Sequence, residues 1–105
     1  MNSKVLSMLG LCRRAGAIVI GTDLVTKSLP SGKVRLVIYA CDASANTEKK
    51  ITDKCKFYNV RCIKSTYNGD EIAHAIGKQS IVSVVGVTDE NFSQELNHLI
   101  SKETL

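Results

Sequence analysis

No two of the four cysteines, Cys12, Cys41, Cys55 and Cys62, stand at the two-to-four-residue spacing of a zinc knuckle or a redox pair. No metal is expected. Cys12, Cys41 and Cys55 each fall on an apolar face or run, where a free cysteine behaves as a small hydrophobe, so they read as buried thiols. Unpaired thiols point to a reducing, cytoplasmic setting. No apolar run approaches the roughly 18 residues of a membrane span. The opening MNSKVLSMLGLCRRAG is broken by Ser7 and Gly10 and ends in Arg13 and Arg14, so neither a signal peptide nor a membrane partner is expected. A glycine-rich phosphate loop, a G-x-S-x-G elbow and an acidic cluster for magnesium are all missing, which argues against an enzyme and against a cofactor. Repeats, low-complexity tracts and linkers are missing too.

What is there is a chain of 105 residues, 44% of them hydrophobic. A Rossmann or barrel enzyme needs roughly twice that length, so one compact domain over residues 1–105 is expected, and a monomer. A domain of this size hides roughly two thirds of its unfolded surface, enough for a core without staples but with little room for a deep pocket. Fourteen Lys and Arg against ten Asp and Glu leave a net charge of +4. A basic balance favours polyanions, because phosphate contacts release condensed counterions, but a charge this mild is only a weak pointer to nucleic acid.

The apolar residues change period along the chain. Val5, Leu6, Met8, Leu9 and Cys12 follow helical spacing, with Gly16 as the stop. AIVIG is a short β-branched run, after which Gly21 and Thr22 supply a turn and an N-cap for DLVTKSL. VRLVIYAC is apolar without alternation from Leu36 to Cys41, the mark of a strand buried on both faces and central in its sheet. Asp42, Ser44 and Asn46 are candidate caps for a helix whose Ile51, Cys55 and Tyr58 form one stripe, with lysines over the rest. VRCIKS is another strand; Asp70 can cap EIAHAIG; SIVSVVGV is a second apolar strand; TDENFSQELNHLI is a last amphipathic helix begun by Thr88 or Asp89. Strands alternating with helices predict an α/β fold, a three-layer α/β/α sandwich around a mixed four-stranded sheet.

Three groups of residues are candidates for chemistry. Asp42 and Ser44 follow the central strand at its carboxyl end, where open α/β sheets usually place ligands, although helix capping explains them as well. His74 and His98 lie on different predicted helices with no partner in sequence. Lys27 stands one turn into the helix that Gly21 and Thr22 begin, four residues after Asp23. That spacing suits an ordinary salt pair. It equally suits a helix entering an RNA groove, with exposed N–H groups and Lys27 on phosphate or base oxygens and Lys33 and Arg35 flanking.

GTDLVTK (21–27), GKVRLVIYACDAS (32–44), EIAHAIGK (71–78) and SVVGVTD (83–89), in that order and spacing, resemble the kink-turn RNA-binding ribosomal proteins, the large-subunit protein seven-Ae family, and most of all a small bacterial branch of it. The resemblance spans most of the chain and implies an α/β/α sandwich that binds kink-turn RNA, ribosomal RNA included, in translation and not DNA. In that family the helix motif is Gly-Thr-Asn-Glu, two residues, then Lys. Gly21, Thr22 and Lys27 match, whereas Asp23 replaces the asparagine and Leu24 the glutamate. Asp23 can still accept hydrogen bonds from guanine but cannot donate, and Leu24 does neither. Losing one good polar contact costs about 1 to 3 kcal/mol, which implies weaker or differently selective binding. The family's second contact is an apolar loop that covers an unstacked nucleotide. Here it reads KQSI, so Lys78 and Ile81 complete the implied surface of Gly21, Thr22, Asp23, Lys27 and Lys33. The rival expectation is a protein-interaction module that has lost specific RNA binding.

Overall fold

The computed structural model describes residues 3–103. Five α-helices alternate with four strands: α1 (Lys4–Arg14), β1 (Ile18–Ile20), α2 (Thr22–Ser28), a 3₁₀ turn (Leu29–Ser31), β2 (Leu36–Tyr39), α3 (Ala45–Phe57), β3 (Arg61–Lys64), α4 (Gly69–Ala75), β4 (Val84–Val87) and α5 (Glu90–Glu103). The sheet order is β1-β4-β2-β3. β4 runs antiparallel to both neighbours, and β2 and β3 are parallel. β1, β2 and β3 therefore share one direction, with β4 reversed between β1 and β2. The mixed sheet and the alternation of elements agree with the expected sandwich.

Side chains that alternate along each strand feed two cores. On one face Leu36, Ile38, Val85 and Val87 pack with Val5, Leu9 and Cys12 of α1, Ile72 of α4 and Leu96 and Ile100 of α5. On the other, Val37, Tyr39 and Val84 pack with Val25 of α2 and Ile51 and Cys55 of α3. β2 and β4 are buried throughout, so the unbroken apolar runs do mark the central strands.

The helix starts differ in detail from the expected ones. Gly21, not Thr22, is the N-cap of α2; its φ of 101° suits glycine, and its N–H donates to the Val84 carbonyl at 2.9 Å. Asn68, not Asp70, caps α4, in a reciprocal box with Glu71 that satisfies two backbone donors at once. Ser44 does cap α3, accepting from Thr47 N–H at 3.1 Å, and Asn46 is already inside that helix. Asp89 caps α5, accepting from Phe92 N–H at 2.9 Å. Cys12 and Cys55 are buried as expected, but Cys41 is exposed, because it lies past the end of β2 with its N–H turned to the Tyr67 carbonyl.

Candidate functional site

Asp42 is not free for catalysis: its Oδ1 accepts from Gly69 N–H at 2.9 Å, joining the end of β2 to the start of α4. Ser44 is used as a cap. His74 and His98 line separate hollows, His74 in one of about 660 Å³ between α1 and α4, His98 in one of about 510 Å³ between α1 and α5. They form no dyad. Among the described residues no cluster of His, Cys, Asp and Glu is placed to hold a metal ion.

The side-by-side meeting of Cys55 and Cys62, on α3 and β3, was not legible in their seven-residue separation. Their hydrogen bond, with burial, holds the Cys62 thiol above its ordinary value.

A third hollow, of about 400 Å³, brings together two stretches more than fifty residues apart: Ile20, Gly21 and Thr22 on one side, and the loop from Lys78 to Ser83 on the other. Both ends are pinned to β4. Gly21 is bonded to Val84, and the loop runs directly into that strand. The loop is also tied to α4, whose last turn ends at Gly77 with φ of 75°; Lys78 N–H donates to the Ala73 carbonyl at 2.8 Å and Val82 N–H to the Gly69 carbonyl at 3.1 Å. Gly69 is needed there, since a Cβ would come within 2.4 Å of Ile81 Cγ2 and 3.2 Å of the Val82 oxygen. The side chain so supported, Ile81, is 67% exposed, an apolar group raised into solvent at the rim.

α2 continues the rim. Val25 is buried and turns Asp23, Leu24 and Lys27 outward. The salt pair between Asp23 and Lys27 does not form; Asp23 Oδ1 instead lies 3.4 Å from Lys50 Nζ on α3, with the Asp23 side chain 95% exposed. So open a pair is worth little. Lys27 enters no ion pair among the described residues. Leu24, 58% exposed, was expected as a lost polar contact and is in addition an apolar side chain beside the rim.

Lys33 is not brought to this surface. β1 and β2 run the same way, so the helix between them must travel back along the sheet, and the loop after it opens at the opposite end. α2 starts next to Val84, where β4 begins, whereas Arg35 N–H donates to the carbonyl of Val87, where β4 finishes. The candidate surface is therefore Gly21, Thr22, Asp23 and Lys27 with Lys78 and Ile81, and Lys33 stands apart with Arg35.

Comparison with known proteins finds relatives in sequence and in fold. Residues 3–97 match the model of the ribosomal protein L7Ae/L30e/S12e/Gadd45 family. The chain is 42% identical over 93 residues to the RNA-binding protein YlxQ of Bacillus subtilis (strain 168), covering 89% of this chain and 91% of that protein. It is 29% identical over 86 residues to the large ribosomal subunit protein eL30 of Sulfolobus acidocaldarius, 82% and 83% of the two chains. Among solved structures, a protein of unknown function from Bacillus halodurans C superposes with a TM-score of 0.88 at 38% identity, covering 95% of this chain and 99% of the other. The Giardia lamblia 15.5kD RNA binding protein shares the fold, with a TM-score of 0.76 at 18% identity over 97% and 89% of the two chains. Matched over nearly its whole length in sequence and in fold, the chain belongs to the ribosomal protein L7Ae/L30e/S12e/Gadd45 family.

Proposed function

We propose that this protein is a non-enzymatic RNA-binding protein that recognises kink-turn or similarly bent RNA through the start of α2 and the 78–83 loop, in a cytoplasmic, ribosome-associated setting. The observation that carries the reading is the meeting of Gly21 and Thr22 with Lys78 and Ile81 around one open hollow. The Bacillus subtilis relative, named as the RNA-binding protein YlxQ, supports it. A bent RNA exposes what a regular A-form helix hides: an opened groove for side chains and an unstacked base for an apolar cover. Lys27 and Lys78 supply charge for phosphate, Asp23 accepts from a base edge, and Ile81 covers the loose base.

The test is a titration of the purified protein into a short labelled kink-turn RNA and into a control with its sheared G·A pairs replaced by Watson–Crick pairs, at low and near-physiological salt. Preference for the kinked RNA that survives the higher salt is the expected result. Equal, weak binding to both would overturn the kink-turn reading and favour the interaction module, for which the exposed Leu24 and Ile81 are the best argument.

A further inference from the structure

Lys33 and Arg35 are left over from that surface, and the other end of the sheet offers them company. The last turn of α3 carries Lys54, Lys56 and Phe57, and Arg61 opens β3. Parallel pairing sets Arg61 opposite Leu36, so Arg35, one residue earlier on the neighbouring strand, has its backbone about 6 Å from that of Arg61; the Arg61 side chain itself leaves on the α5 face, where its Nε donates to Asn97 Oδ1 at 2.7 Å, and does not join the cluster. Val34, next to Lys33, shares a buried cluster with Cys55 and Tyr58, which brings the loop before β2 and the end of α3 to the same pole. The side chains of Lys33, Arg35, Lys54, Lys56 and Phe57 are all exposed. The three ion pairs among the described residues, Lys49–Asp53, Lys50–Asp23 and Lys64–Glu48, involve none of these four cations.

Phe57 is the unexpected member. It is 79% exposed, more than Leu11, Leu24 or Ile81. Its ring meets Tyr58 edge to face, with centroids 4.9 Å apart and planes at 82°. The turn behind it is fixed: Asn59 has φ of 58°, and Val60 N–H closes onto the Cys55 carbonyl at 2.8 Å. The ring is thus held by its neighbour while its face stays open.

We propose that this pole is a second nucleic-acid contact, one that takes single-stranded RNA. A base stacks on Phe57, and Lys33, Arg35, Lys54 and Lys56 meet the flanking phosphates. Charge without a carboxylate partner fits any polyanion, but an open aromatic face among the charges fits unpaired bases, which a duplex keeps covered. The pole lies at the opposite end of the sheet from the hollow, so both contacts can be filled at once and one protein can hold a bent element and a loose strand together. The inference is independent of the kink-turn reading.

The experiment titrates the full chain with a labelled 12-nucleotide oligouridine at low salt. Phe57→Ala is expected to weaken binding about tenfold, and Lys54→Ala with Lys56→Ala to reduce the salt slope by about 1.4 units. Phe57→Trp, the sole tryptophan in the chain, should bind like the parent, with its emission quenched by oligouridine and not by heparin, which has no bases. Circular dichroism confirms that each variant is folded. Unchanged binding by Phe57→Ala, an unquenched tryptophan, or quenching by heparin as strong as by oligouridine would each overturn the proposal.

Discussion

At Gly21 the backbone sits at φ 101° and ψ 148°, a region that a side chain makes costly by about 1 to 3 kcal/mol. Nothing crowds the position where a Cβ would be, so the cost is conformational and not steric. Gly21→Ala should therefore lower the unfolding free energy read from a urea titration by that amount and, by displacing the start of α2, weaken RNA binding as well. Lys27 is the converse case. It is exposed and outside the ion pairs of the described residues, so Lys27→Ala should leave the unfolding free energy within about 0.5 kcal/mol of the parent in a urea titration. If its contact is to phosphate, the same change weakens kink-turn RNA and lowers the salt slope by about one unit. A full stability loss in Lys27→Ala, or an unchanged affinity, would refute that separation of roles.

Among the elements, α4 and the loop behind it act as one piece, because Gly69 lets the Ile81–Val82 backbone lie against the first turn of the helix. Gly69→Ala drives Ile81 off the rim; it should cost about 1 to 3 kcal/mol in stability and weaken binding of kinked RNA about as much as Ile81→Ala does. Retained affinity in Gly69→Ala would show that the loop's position is immaterial. The elements themselves were legible in the sequence, since apolar period alone separates Val5–Cys12 from Leu36–Tyr39. The caps were less so. Asn68 and Asp70 are chemically alike, and only the reciprocal bond with Glu71 decides between them. Asp23 takes Lys50 as its cation and not Lys27, because a neighbour on α3 competes with the i+4 position. Lys33 is near Lys27 in the chain and far from it in space, since the connection reverses across the sheet. The two halves of the hollow came from resemblance: no local pattern links Gly21 to Ile81.

At the scale of the whole molecule, Cys12 and Tyr39, like Cys62 and Tyr67, sit where ionising them is unfavourable. Burial, and after it the charge of Asp89, pushes the Cys12 thiol up to about 11 from 9.0. Burial, and after it the hydrogen bond to Glu48, pushes the Tyr39 hydroxyl up to about 12 from 10.0. The unfolded chain loses these protons first, so folding stability is full below about pH 9 and declines as the pH rises to about 12. Tyr39→Phe should flatten the upper part of that decline; at pH 7 it should cost about 1 kcal/mol for the bond to Glu48. A urea midpoint that does not fall between pH 8 and pH 11 would contradict both shifts. The reversed strand has a consequence in time. β4, residues 84–87, is the last strand in the chain and yet the one that joins β1 to β2. Until it has left the ribosome, β1 has no partner in the sheet and Gly21 has no carbonyl to hold it. A nascent chain halted at Ser83 should stay open to protease, while one extended past α5 should resist it, so the proposed binding face is completed only after β4 has emerged.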